Sequence, residues 1–135
     1  MKEKDKIYFG HPVNFYNVPK ELELIQIIKK EFPLFTIENP NQPHHQENYQ
    51  RYKMETGNGM TYYFKEVLPR MEAGIFLSFE DKKFGAGVFG EAEALHKMEK
   101  PIYEITLENK IYPMQIDFSR KLSIEETRKR IYPVA

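Results

Sequence analysis

Cysteine is absent from this 135-residue chain. That excludes a disulfide framework, a thiolate nucleophile and thiolate metal ligation, and it leaves the compartment open. Net charge is missing too, since 20 Lys and Arg balance 20 Asp and Glu. The balance argues against a generic polyanion-binding surface, confines any anion site to a local feature and favours self-association. No uninterrupted apolar segment is long enough to span a bilayer. Met1 to Lys6 leads into a short apolar run rather than a signal-peptide core, so the expected location is cytoplasmic, with no membrane partner. The length suits one domain, 1–135, with a core of its own.

What is present reads as strands alternating with helices. Lys6 to Gly10 is rich in β-formers and stops at Gly10-His11-Pro12. A helix follows from Pro19 to about Phe32, with Leu22, Ile25, Ile27 and Ile28 as its apolar face and Lys20, Glu21, Glu23, Lys29 and Lys30 outward. Pro33 to Glu38 reads as a second strand, closed by the turn chemistry of Asn39 to Pro43. His44 to Gly59 is polar and aromatic with weak periodicity, which predicts a loop holding a short helix around Glu47 to Glu55. Met60 to Met71 is helical, Ala73 to Phe79 a strand, Val88 to Glu99 a helix, and Pro101 to Thr106 a strand. An edge strand or hairpin arm spans Lys110 to Ile116, and Ser123-Ile124-Glu125-Glu126 has capping-box spacing for a last helix ending near Tyr132-Pro133. The alternation implies a parallel, doubly wound α/β sheet with flanking helices.

The run from Phe84 to Glu91 carries the most chemistry. Gly85, Gly87 and Gly90 lie just ahead of or beside Glu91, downstream of a predicted strand, in the crevice where open α/β folds bind ligands. Glycine there lets a substrate approach the backbone. Glu91 is the candidate nucleophile. Its alternative is a first-turn glutamate favoured by the helix dipole. Tyr8 likewise fits half-buried packing in a strand.

Ile7-Tyr8-Phe9-Gly10, taken with Gly87-Val88-Phe89-Gly90-Glu91 and the Lys100-Pro101 strand entry, resembles the nucleoside 2-deoxyribosyltransferase family over Ile7 to about Thr106. The resemblance implies a single flavodoxin-like domain and a glutamate nucleophile, here Glu91. It also implies a tyrosine near that nucleophile, here Tyr8, and a backbone wall for the base at Tyr8, Phe9 and Gly10. Cleaving the bond between base and sugar develops oxocarbenium character, which a carboxylate stabilises or traps. Phe9, Phe15 or Tyr16 would stack on a base, His11 would contact base or phosphate, and the helix N-terminus beside Gly85 and Gly87 would suit a 5′-phosphate.

Transferase members of that family carry an acidic sugar-binding residue a few positions before the nucleophile, where this chain has Gly85. Glu72 and Glu66 each stand one residue from the places of two further family carboxylates, and neither is assigned as an acid partner. The missing carboxylate suits a nucleotide N-glycosidase, because it would repel a phosphate, without excluding base exchange. The expected ligand is a nucleoside or nucleoside 5′-monophosphate, with no cofactor and with assembly as a homodimer or higher oligomer. The alternative is a non-catalytic nucleotide or nucleotide-sugar binding module on the same fold.

Two further features give negative expectations. Adjacent His44 and His45 are expected to point apart, with no ligand-spaced partner in view, so no metal site is expected there. Tyr49, Tyr52, Tyr62 and Tyr63, interleaved with Arg51, Lys53, Lys65 and Arg70, have the ingredients of an RNA surface. Helical spacing and balanced charge favour core, subunit interface or a lid instead, and no nucleic-acid partner is expected.

Overall fold

The computed structural model describes residues 5–132; Met1 to Lys4, and the Pro133 stop expected for the last helix, lie outside them. Five strands form one sheet in the order β2-β1-β3-β4-β5. Parallel to one another run β1 (Asp5–Gly10), β2 (Phe35–Glu38), β3 (Ala73–Leu77) and β4 (Ile102–Ile105). The edge strand β5 (Ile111–Pro113) pairs antiparallel with β4, as the Lys110 to Ile116 arm predicts. Flanking them are α1 (Pro19–Glu31), α2 (Pro43–Thr56), α3 (Met60–Tyr62), α4 (Ala86–Lys97) and α5 (Ile124–Ile131). The chain is α/β with a mostly parallel sheet, consistent with a flavodoxin-like doubly wound fold. Strand order reverses between β1 and β3, which opens a crevice at their carboxyl ends. Among the described residues no helix is long and apolar enough to cross a membrane.

Strand alternation decides which side chain serves which face. Ile7, Phe9, Ile75 and Leu77 point into a core closed by Leu24 and Ile28 of α1. Tyr8 and Phe76 point the other way, into a core with Phe89, Ala92 and Leu95 of α4 and Tyr63 and Val67 beyond α3. All five residues of β3 are buried, which is why it reads as one apolar run. Gly74 has a steric reason: a Cβ there would stand 2.5 Å from Leu95 Cδ1 and 2.7 Å from the Phe76 ring. Gly74→Ala should therefore cost about 1–3 kcal/mol of stability by overpacking, read as a lower urea midpoint at unchanged slope; an unchanged midpoint would contradict the close packing of α4 on the sheet.

Four predicted details differ. In α1, Leu22 faces solvent and Leu24 takes the core, while Glu21 is buried rather than outward because His11 binds it. The segment expected to be mostly loop is a 14-residue helix, α2, opened by Pro43 and closed by Gly57 at φ 83°. After α3 the chain widens into a π turn over Tyr63–Val67 and tightens into a 3₁₀ turn over Leu68–Arg70. Helix α4 starts at Ala86, two residues earlier than predicted, with Gly85 as N-cap. The Ser123/Glu126 capping box of α5 is formed.

Candidate active site

Because α4 begins at Ala86, Glu91 falls in its second turn, beyond the dipole-favoured first turn, which holds no acid. The dipole reading of Glu91 thus loses its basis. Gly87 and Gly90 are helical, and among the described glycines only Gly57 has a positive φ, so the run is not a tight turn. Its glycines act through lack of bulk. A Cβ on Gly87 would meet nothing within 4 Å, leaving the first turn open to the cavity. A Cβ on Gly85 would press on Thr127 of α5 at 3.1 Å.

Glu91 is 5% exposed and lines a cavity of about 490 Å³. The Tyr8 hydroxyl, reaching up from β1, donates to Glu91 Oε2. Gly10 lies beneath the other carboxylate oxygen: a Cβ there would sit 3.3 Å from Oε1 and 2.5 Å from Phe76. Its role is to leave that space, and it is not itself part of the cavity wall. Among the described residues no cation pairs with Glu91 in an ion pair. Burial pushes its carboxyl up to about 8, with the Tyr8 bond pulling the other way. The phenols of Tyr8, Tyr16 and Tyr63 are raised by burial first and by the Glu91 charge second, so all three stay protonated.

Phe9 and His11 do not have the contacts expected of them. Phe9 follows Tyr8 in the strand, so its ring is fully buried in the α1-side core and cannot stack on a ligand in the cavity. His11 is among the residues lining the cavity, but its ring is buried, stacked on Phe9 at 4.0 Å, and both its nitrogens are occupied. Nδ1 lies 3.0 Å from the Phe9 carbonyl, and Nε2 lies 2.7 Å from Glu21 Oε2. A carbonyl only accepts, so Nδ1–H donates to it and the second proton is shared between His11 and Glu21. Burial lowers His11, opposed by those two bonds. Neither nitrogen is left for a phosphate or a base.

The rest of the wall joins Tyr16, expected to stack on a base, to residues of α2, the π turn and α5 that were not assigned as site residues. Gln46, Tyr49, Gln50 and Lys53 recur at helical spacing on one face of α2. Tyr16 lies opposite, tilted against His11 at 4.8 Å, and Tyr63 enters from the π turn, a geometry frequent at functional sites. Thr127 accepts from the Ala86 amide at 2.9 Å, which docks α5 on the start of α4. With the Ala86 amide taken by Thr127, the Gly87 and Val88 amides are the donors a helix start leaves over, and both residues line the cavity.

Of the aromatic and basic stretch, Tyr62 and Tyr63 are buried in the core, Tyr52 donates to Glu66 at 2.6 Å, and Tyr49 joins the cavity wall. His44 and His45 do not diverge: their ring centroids are 4.0 Å apart, and Glu38 stands beside them. Local sequence hid this because Glu38 belongs to the end of β2, across the Asn39 to Pro43 turn. No protein-family model matches the chain, and no curated protein matches it.

Proposed function

We propose that this chain cleaves the N-glycosidic bond of a nucleoside 5′-monophosphate, with Glu91 as nucleophile. The observation that carries the reading is a buried carboxyl at a ligand-sized cavity, held by the Tyr8 hydroxyl and, among the described residues, free of any pairing cation. Structural carboxylates gain from salt bridges or water. Among the described residues this one has neither cation nor open solvent, a costly arrangement that suits a group meeting positive charge only as the reaction develops.

In the proposed reaction a Glu91 oxygen attacks C1′, and the C1′–N bond breaks with its electron pair leaving on the base, which takes a proton from water. The glycosyl ester is then opened by water, releasing the sugar phosphate and restoring the carboxylate. Tyr8 orients Glu91 through its hydrogen bond. Tyr16 and Tyr49 offer ring faces to a base. Lys53, with the Gly87 and Val88 amides, offers positive charge to a phosphate.

The test is incubation of the full chain with a panel of nucleosides and 5′-monophosphates, with free base read by chromatography. Base should be released, and faster from monophosphates than from the parent nucleosides. Binding of the nucleotide with no release would instead favour a non-catalytic binding module.

A further inference from the structure

We propose that Glu38, His44 and His45 form a binding site for a divalent transition metal of the zinc class, separate from the cavity at Glu91. The three come from two elements, the end of β2 and the first turn of α2, and their ligand atoms all lie within 4.8 Å of one another. His45 Nε2 and Glu38 Oε2 are already 3.1 Å apart. Zinc bonds of about 2.0–2.1 Å in a tetrahedron place neighbouring ligand atoms about 3.3 Å apart, so the spacing already fits, and the hydrogen bond between the two opens as the metal takes the Nε2 lone pair. His44 is exposed, and its side chain is free to close the remaining gap.

A second observation concerns orientation. His45 is buried, and its Nδ1 lies 2.6 Å from the Tyr62 hydroxyl. That contact turns Nε2 toward Glu38 and supplies the outer partner that metal-bound histidines use. A hollow of about 310 Å³ opens beside the three side chains, giving an entry path and room for water as the fourth ligand.

Competing contacts set the strength. Gln42 Nε2 donates to Glu38 Oε2 at 2.9 Å, and Lys6 Nζ stands 3.9 Å from Oε1. Arg51 and Arg70 line the same hollow. Binding displaces the Gln42 contact and proceeds against three positive charges, so affinity falls below that of a structural zinc and the fold does not depend on the metal. The proton balance is internal. In the free chain the His45 Nε2–H donates to Glu38 and Nδ1 accepts from Tyr62; when metal takes Nε2, the ring proton moves to Nδ1 and Tyr62 becomes the acceptor.

The site also has a place in the architecture. It ties the start of α2 to β2, and the later turns of the same helix carry Gln46, Tyr49, Gln50 and Lys53 to the cavity wall. The site itself does not rest on the catalytic reading.

The experiment titrates the untagged, chelator-treated full chain with zinc chloride by calorimetry, with histidine ring-nitrogen NMR in parallel. One zinc per chain is expected, with the His45 ring proton passing from Nε2 to Nδ1. His44→Ala and Glu38→Gln should each weaken binding at least ~10-fold, the lower end of what losing even an outer partner costs. His96→Ala, on the exposed face of α4, should leave it unchanged. No uptake of zinc by the parent chain, or uptake that His44→Ala and Glu38→Gln both leave intact, overturns the proposal.

Discussion

Glu91→Gln should lower kcat/KM for release of free base from any nucleotide the parent chain cleaves by at least ~10²-fold. The amide fills the same space and keeps an oxygen for the Tyr8 hydroxyl, so the cavity and its ligand contacts persist. What disappears is the electron pair that attacks C1′. The loss should therefore fall on kcat, with nucleotide binding by calorimetry unchanged. Glu93→Gln provides the contrast: Glu93 stands two residues along α4, 3.6 Å from Lys97, and its loss should leave turnover intact. Equal rates for parent and Glu91→Gln chains would remove the carboxylate from the chemistry altogether.

The second large effect is on stability, and it has the opposite sign. Burial raises the Glu91 carboxyl from 4.5 to about 8, so the native state holds this proton more tightly than the unfolded chain does. The resulting stabilisation is complete below about pH 4.5 and is lost as pH rises to about 8, in total about 5 kcal/mol. That is a large share of a stability of typically ~5–15 kcal/mol. Glutamine is neutral throughout and escapes the loss, so at pH 9 the Glu91→Gln chain should melt at least ~10 °C above the parent. Parallel pH curves for the two chains would contradict a buried, elevated carboxyl.

In the proposed reaction the same proton governs rate. Only the carboxylate attacks, and near pH 7 about a tenth of it is ionised. Consequently kcat/KM should climb about tenfold per pH unit up to pH 8 and level off above. Tyr8→Phe removes the hydrogen bond that favours the ionised form, which moves the midpoint up and lowers the rate at pH 7 roughly tenfold, as loss of a ~1.5 kcal/mol charge-assisted bond requires. A flat pH profile would mean that Glu91 is not the titrating nucleophile.

The parallel strands were legible because buried strands leave a continuous apolar trace, as Ala73 to Leu77 do. Helix α2 was not, for a physical reason. The face it turns to the open cavity holds the exposed Gln46, Gln50 and Lys53, and it packs inward through His45, Tyr49 and Tyr52 rather than aliphatic side chains, so the apolar period that marks a helix is missing. The signals that remained were terminal ones, Pro43 at the start and Gly57 at the end. The face of Phe9 was readable, since alternation from a cavity-facing Tyr8 turns it toward α1. The environments of His11 and His45 were not, because Glu21 and Glu38 meet them only through the folding of β1 onto α1 and of β2 onto α2. The Tyr8–Glu91 bond spans 83 positions, and no local pattern encodes it.

The most direct measurement is a crystal structure of the Glu91→Gln chain soaked with a nucleoside 5′-monophosphate. The sugar should be seated in the 490 Å³ cavity, with C1′ about 3–3.5 Å from the side-chain oxygen at position 91. A nucleotide bound elsewhere, a sugar with C1′ turned away from that oxygen, or a cavity still empty at saturating ligand would contradict the proposed reaction.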